Sequence, residues 1–483
     1  MPVQSKKITK IISLFVILFH IMGFISSINA VITARTSQGA IAWIVSLNTF
    51  PIVSVPAYWI FGRNKFNGYA EDWRDNSKIT EERTEHIYRD LQPFFIEPPD
   101  VFPEYEVIKK LAGHPFLSGN TVTLLENGQQ TYKSIDEGIE QAEQYILFQF
   151  YILKDDEIGT HFKNRLIRKA QQGVAVYVLY DELGSRGISA EWIKTFQEAH
   201  HNIKIVPFNT RQGKRNRFQL NFRNHRKIVV VDGKAAWVGG LNIGDDHLDK
   251  DPKYTPWRDT HLMIAGPSVL AAQATFLIDW HWASKEVLAG LSWKPYTPPD
   301  GNTNVLMLAS GPADKHETAS LFFTNLLNAA RKRIWIATPY FIPDEATMTA
   351  LRLALLKGIE VRILTPRMYD NWFVYHAAHV YLQELADEGA QIYFYDNGFM
   401  HQKVLLLDDN LSTVGTVNFD NRSFRLNFEI TALIADRTFA RQIENMLRND
   451  FLQSIDSTAR YLQPASFMTR LKAKFSTLFA PVL

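Results

Sequence analysis

A chain of 483 residues is longer than one hydrophobic core ordinarily organises, so two catalytic-size domains and an additional segment are expected. Its 52 basic and 50 acidic residues leave a net charge of +2, which removes the global basic field that would point to nucleic acid, and the absence of cysteine excludes disulfides, thiolate metal ligands and cysteine nucleophiles. A charged share of 21% excludes a wholly embedded protein, while 46% hydrophobic residues suit a packed protein with membrane contact.

Taken in chain order, the first feature is an uncharged run from Ile11 to Ile32, long enough as a helix to cross a hydrocarbon core. A second uncharged run, Gly39 to Phe61, carries Trp43, Tyr58 and Trp59 near its ends, and Pro51 and Pro56 as potential kinks. Lys6, Lys7 and Lys10 precede the first run, Arg63 and Lys65 follow the second, and the loop between holds only Arg35. This pattern predicts a two-helix membrane anchor over residues 1–65, spans at about 11–32 and 39–61, with both outer flanks on the cytoplasmic side. A cleaved signal peptide ending near Ser27-Ile28-Asn29-Ala30 is the competing reading; the second apolar run with its own basic flank favours the anchor.

After a polar linker (66–99), two stretches repeat one grammar. The first has a strand-like run Tyr145 to Leu153, a helical pattern Ile158 to Gln172, Gly173, and a strand Val174 to Tyr180. The second has Ile334 to Ile342, Glu345 to Lys357, Gly358, and Ile359 to Leu364. Each then adds a helix, a short strand (Ile203 to Phe208; Gln391 to Tyr395) and a His-containing hairpin. The alternation predicts an α/β fold: two tandem units, over 100–295 and 296–465, each a mixed sheet covered by helices and packed face to face.

The two hairpins carry the chemistry. His225, Lys227, Asp232, Gly239 and Asn242 recur at the same spacing as His401, Lys403, Asp408, Gly415 and Asn418. Side chains two apart in extended chain share a face, so each copy should present an imidazole and an ammonium to one cleft. Asp232 and Asp408, grouped with the catalytic set as part of the motif, lie at odd parity from their histidines; this makes them turn or ion-pair residues that orient the loop. A glycine at such a strand end has a structural reading as a bulge or close approach, but together with Asn242 and Asn418 it points to phosphate binding. A single copy could arise by chance; two copies at matching places in a repeat could not plausibly do so.

These residues resemble the phospholipase D superfamily and, within it, the bacterial cardiolipin synthases. The likeness extends to Trp59-Ile60-Phe61-Gly62-Arg63, Gly119-Asn120, Asp181-Glu182-Leu183-Gly184-Ser185, Asn221-Phe222-Arg223-Asn224, Trp257-Arg258-Asp259-Thr260, Ser310-Gly311-Pro312, and Asn418 through Glu429. Thr416 departs from the serine commoner after that glycine, and retains the hydroxyl. The resemblance implies joining of two phosphatidylglycerols into cardiolipin with release of glycerol, with membrane phospholipids as partners; the same half-sites also serve nucleases, but the two apolar spans and the near-neutral charge count against nucleic acid. A hydrolase of the phospholipase D type, or a phosphatidyl-transferase with another acceptor, is the alternative, since fold and motif do not fix the acceptor.

Two imidazoles and two ammoniums also suffice chemically: one imidazole attacks phosphorus, the other handles the alcohol proton, and the cations hold the phosphoryl oxygens. The resemblance assigns attack to His225 and acid–base work to His401. Lys227, Lys403, Asn242 and Asn418 would hold the phosphate, so no metal or other cofactor is implied. Asp259 and Glu429, one after each motif and similar in position to the family's orienting carboxylates, are expected to pin the imidazoles.

Three further features have weaker claims. His376 and His379 sit one helical turn apart without a third ligand nearby and read as a helix face. Arg211, Lys214, Arg215, Arg217 and Arg223 form a basic run that is either a solvated loop or a contact for anionic headgroups. The tail 466–483 is basic and apolar at helical spacing, which suits a membrane surface or a plain packing helix equally.

Overall fold

The computed structural model describes residues 2–62, 65–69, 78–98, 105–211, 220–461 and 466–483. They fall into two compact units, the smaller formed mainly by the N-terminal segment to Tyr69 together with 210–222, the larger by most of the rest.

The N-terminal unit starts with a helix Pro2–Thr33, whose stretch Lys10–Thr33 is long and apolar enough to cross a membrane. The second apolar run differs from expectation. It is not one span but two helices, Ser37–Thr49 and Pro51–Phe61, parted at Phe50. The cause is local: Pro51 has no N–H and excludes helical geometry from the residue before it, and Phe50 takes φ −130° and ψ 56°. Pro56, by contrast, is accommodated inside its helix. The helices pack tightly where Gly23 meets the backbone of Leu47; a Cβ there would lie 2.3 Å from the Leu47 carbonyl oxygen. Polar side chains tie the contact, with Asn48 Nδ2 donating to Ser27 Oγ at 2.8 Å and the Tyr58 hydroxyl to Asn29 Oδ1 at 2.7 Å.

The larger unit holds both repeats, and their sheets have the same strand order. In the first, Ile203–Phe208, Ala175–Asp181 and Tyr145–Phe150 run parallel, followed by Ile228–Val231, Ala235–Gly239, Thr260–Ala265 and Phe116–Glu126, each antiparallel to its neighbour. In the second the order is Gln391–Tyr395, Glu360–Pro366, Arg333–Ala337, Val404–Leu407, Leu411–Gly415, Asn427–Ala435 and Thr303–Ser310. The fold is thus the expected mixed α/β one. The sheets join at an edge where Phe116–Glu126 also pairs with Thr303–Ser310, and Ala235–Gly239 and Thr260–Ala265 pack against Leu411–Gly415.

Equivalent devices build both copies. Asp156 and Asp344 cap the helices Glu157–Gln171 and Glu345–Leu356 by accepting from Gly159 and Thr347 N–H, each such cap being worth about 1 kcal/mol. Gly173 (φ 97°) and Gly358 (φ 80°) then close these helices in the left-handed region that a side chain disfavours. Behind the sheets lie two cores, one around Phe148, Phe162 and Trp237, the other around Phe322, Leu351 and Leu385.

Candidate active site

His225 and His401 each sit just before the first strand of a hairpin, Ile228–Val231 and Val404–Leu407, at the end of the sheet to which the parallel strands point their C-termini. The segments before them are held by the opposite repeat. Arg223–Asn224 pairs parallel with Asn427–Phe428, and Phe399–Met400 with Trp257–Arg258. The backbone bonds continue at the histidines: His225 N–H donates to Phe428 O at 2.9 Å and His401 N–H to Arg258 O at 2.7 Å.

The carboxylates complete this exchange. His225 Nδ1 lies 3.0 and 2.9 Å from the two Glu429 oxygens, and His401 Nδ1 lies 3.0 Å from Asp259 Oδ2. Both expected carboxylates therefore meet an imidazole, but each meets the one from the other repeat, not the one it follows in sequence. Both carboxylates are fully buried, which makes the pairings costly to break. Gly240 makes room for one: a Cβ would lie 2.0 Å from Asp259 Oδ1. At the matching position Thr416 exchanges hydrogen bonds with the Ile430 backbone and bonds Glu429.

Both lysines fold back onto the carbonyl of their own histidine. Lys227 Nζ donates to the His225 carbonyl at 2.7 Å, and Lys403 Nζ donates to the His401 carbonyl. Lys403 Nζ also stands 2.8 and 3.3 Å from the two ring nitrogens of His401, against the imidazole. Burial lowers the Lys227 ammonium to about 7 against the pull of Glu429, and Lys403 to about 8 against Asp259. Burial, then the two ammoniums, hold His225 neutral. His401 falls to about 4 through burial and Lys403, with Asp259 opposing. Burial would raise Asp259, but Lys403 and His401 draw it down to about 2, whereas burial pushes Glu429 up to about 7 against Lys227. Each lysine feels both carboxylates, so the two motifs form one electrostatic cluster.

Behind the site, the middle residue of each motif is tied to the helix that follows its repeat's last strand. Arg226 Nη1 bonds Asp279 at 2.7 Å in helix Val269–Ser284, and Gln402 Nε2 bonds Asp450 at 2.8 Å in helix Arg437–Leu452. Asp279 also accepts from Gln149 and Asn224, and Asp450 from Arg258. Asp181 anchors the approach to His225 by accepting from Asn224 N–H at 2.8 Å.

Asp232 and Asp408 stand away from this cluster. Seven residues of extended chain, about 20 Å, separate each from its histidine. Asp232 accepts from the N–H groups of Glu143, Gln144 and Tyr145, and Asp408 from those of Arg331, Lys332 and Arg333. Both have φ near 50° in the hairpin turn, so their geometry is that of turn residues and not of groups that touch a substrate. Gly239 and Gly415 also answer to packing: a Cβ on Gly239 would lie 2.5 Å from His261 Cα, and one on Gly415 2.5 Å from Ile430 O.

Asn242 Oδ1 accepts from Ile152 N–H at 3.1 Å, bracing the loop around Tyr151. Asn418 has a buried Oδ1 with no donor. His379 bonds the Tyr461 hydroxyl at 3.1 Å and His376 packs on Trp372, both on helix Trp372–Asp387. Of the basic run, Arg223 comes close enough to bond Tyr151, while Lys214, Arg215 and Arg217 lie outside the described residues.

Sequence reasoning missed Tyr151, Tyr340 and Arg422. The Tyr151 ring lies 4.9 Å from His225 and that of Tyr340 6.3 Å from His401. The signal was present: each tyrosine follows the start of its repeat's first strand-like run by the same interval (Tyr145 to Tyr151, Ile334 to Tyr340). Arg422, in the short helix Asn421–Arg425, acts electrostatically on His225.

Two matched segments, 135–254 and 323–451, fit the family model described as cardiolipin synthase, PLD-like domain. Cardiolipin synthase A of Pseudomonas putida (strain GB-1) is 41% identical over 471 residues, covering 96% of this chain and 97% of that one. Cardiolipin synthase A of Pseudomonas fluorescens (strain SBW25) is 41% identical over 478 residues, 98% of each. Among solved structures, the phosphatidylserine synthase of Haemophilus influenzae Rd KW20 superposes with a TM-score of 0.62 at 17% identity, over 79% of this chain and all of that one, a likeness of fold.

Proposed function

Because the chain belongs to the cardiolipin synthase family of phospholipase D-like proteins, we propose that it transfers a phosphatidyl group from one phosphatidylglycerol to another, yielding cardiolipin and glycerol. The observation that carries this reading is the crossed pairing of His225 with Glu429 and His401 with Asp259, which draws both half-sites into one cluster.

In the first half-reaction Nε2 of neutral His225, its Nδ1 turned to Glu429, attacks phosphorus. An N–P bond forms and the P–O bond to glycerol breaks. His401 donates its proton to the departing glycerol oxygen. In the second, neutral His401 takes the proton from a glycerol hydroxyl of another phosphatidylglycerol; that oxygen displaces His225 from phosphorus, and both imidazoles return to their starting state. Lys227 and Lys403 balance the phosphoryl oxygens, with Asn242 and Asn418 as amide partners. The phosphodiester's negative charge offsets the field of Lys403 and restores basicity to His401 when the substrate enters.

The N-terminal helices would anchor the protein in the bacterial cytoplasmic membrane. The basic flanks Lys6, Lys7, Lys10, Arg63 and Lys65 favour the cytoplasmic side for both ends of the anchor and for the catalytic body. An acceptor lipid held in the cleft has a large effective-concentration advantage over poorly placed water, which favours transfer over hydrolysis.

The test uses labelled phosphatidylglycerol and purified full-length protein. Cardiolipin and glycerol should form together without added metal or nucleotide. His401→Ala should accumulate phosphatidyl-enzyme slowly, and His225→Ala none. Phosphatidic acid and glycerol as the dominant products at high lipid density would replace synthase by hydrolase; label retained by His225→Ala would exchange the histidine roles.

A further inference from the structure

The C-terminal helix Phe467–Thr477 packs on helix Trp372–Asp387 in an inverted sense. Its inward residues are small: Ala473 and Ser476 are buried, and Ala480 in the turn beyond joins Ala377 and Ile342. Its large apolar residues face outward, Phe467 at 76%, Leu471 at 51%, Phe475 at 51% and Leu478 at 72% exposure. At about 100° per residue these four share a stripe roughly 80° wide. The exposed cations Arg470 and Lys474 lie on one border and Lys472 on the other. A helix stabilised only by packing on its own protein would turn the phenylalanines and leucines inward and leave alanine and serine outside.

The stripe continues onto the neighbouring element. Phe479 packs edge-on against Phe373 at 5.1 Å, and Trp372 and Phe373 are exposed beside it. The position matters for the reaction. The Leu483 carbonyl accepts from Arg422 N–H at 2.9 Å, and Arg422 acts electrostatically on His225. On the other side, an apolar cavity is lined jointly by Tyr340, beside His401, and by Tyr369 and Val374 near the start of helix Trp372–Asp387.

We propose that this outward stripe is a docking surface for a bilayer rich in anionic lipid, which seats the catalytic unit with its cleft next to the headgroup layer. The apolar side chains enter the acyl boundary while Arg470, Lys472 and Lys474 meet phosphates, the division of labour of an interfacial helix. An apolar stripe of this size needs a partner, and its cationic borders select an anionic lipid surface. The docking surface adds to the reaction proposed above, and its primary readout does not require that reaction.

The chain lacks cysteine, so single-thiol labels are clean. Full-length Leu471→Cys carrying an environment-sensitive fluorophore is reconstituted into phosphatidylcholine vesicles with and without phosphatidylglycerol. Emission should shift to the blue and be quenched by nitroxide-bearing lipid in phosphatidylglycerol vesicles, less so without it or at high salt. The same label at Leu356, exposed at the sheet end opposite the cleft, should report water throughout. Equal exposure of the two labels would overturn the proposal. So would protection at Leu471 that follows protein density and ignores lipid, which would make a second copy the occupant. In a second arm, Leu471→Glu with Phe475→Glu should raise the apparent KM for vesicle-borne phosphatidylglycerol roughly tenfold and leave detergent-dispersed substrate within about twofold. Equal losses on both substrates would mark the residues as structural and also overturn it.

Discussion

Replacing Glu429 by Gln should disable the imidazole of the other repeat. The substitution keeps the side chain's shape and one acceptor oxygen, but removes the charge that faces His225 Nδ1 at 2.9–3.0 Å in a fully buried setting. A hydrogen bond to a charged group contributes about 1.5–3 kcal/mol, and about 1.4 kcal/mol corresponds to a factor of ten, so formation of phosphatidyl-enzyme should slow by about 10- to 150-fold. Asp259→Asn should cause a loss of similar size by a different route, because it unsettles His401. The two are separated by a donor lipid with a p-nitrophenyl leaving group, which needs no proton. Single-turnover release of nitrophenolate should recover to near the wild-type rate in Asp259→Asn and stay slow in Glu429→Gln. If the activated lipid rescued Glu429→Gln and not Asp259→Asn, the crossed assignment of carboxylate to histidine function would be refuted.

The ammoniums of Lys227 and Lys403, lowered by burial to about 7 and 8, lose their charge as pH rises, so kcat/KM should decline on an alkaline limb beginning near those values; flat activity to pH 10 would contradict the phosphate-holding role. Asp232→Ala removes the acceptor of three backbone N–H groups, that of Tyr145 buried and those of Glu143 and Gln144 partly so, and should lower unfolding stability by about 2–4 kcal/mol, while kcat per folded molecule stays within about threefold, as read by denaturant titration and active-site counting. Gly23→Leu places a side chain against the Leu47 carbonyl, and should abolish the disulfide that Ser27→Cys and Asn48→Cys otherwise form in detergent; an unchanged cross-linking yield would disprove the close contact.

Period and spacing carried much of the fold. The two short strands Ile203–Phe208 and Gln391–Tyr395 appear at their expected bounds, as do the glycine stops at Gly173 and Gly358, because local patterning decides such features. What escaped was relational. Nothing in the interval from His401 to Glu429 says that the carboxylate turns to His225; that depends on parallel pairing of Arg223–Asn224 with Asn427–Phe428, a contact some 200 positions apart. Asp279 and Asp450 carry no local signal for the same reason, since their partners Arg226 and Gln402 lie about 50 positions away. The break at Phe50 is legible in Pro51, but it divides the apolar run into two helices where a kink in one span is the expectation. The inward and outward faces of the tail could not be ordered from its composition, since small residues on one side and large ones on the other become a decision only when a partner helix takes one of them.

The exchange of carboxylates also has a consequence for how such a chain can be divided. Each repeat carries a histidine without its orienting acid and an acid without its histidine. Cut between the repeats, the molecule would yield two halves that are chemically incomplete in the same way, and mixing them would be needed to restore function. Two identical halves related by a two-fold axis could in principle satisfy the same contacts, each lending its acid to the other. The covalent chain then acts as a tether: it replaces an association that depends on concentration by one that does not, and it frees the two halves to diverge, as Glu429 and Asp259 already have, burial pushing the first carboxyl up while Lys403 and His401 draw the second down.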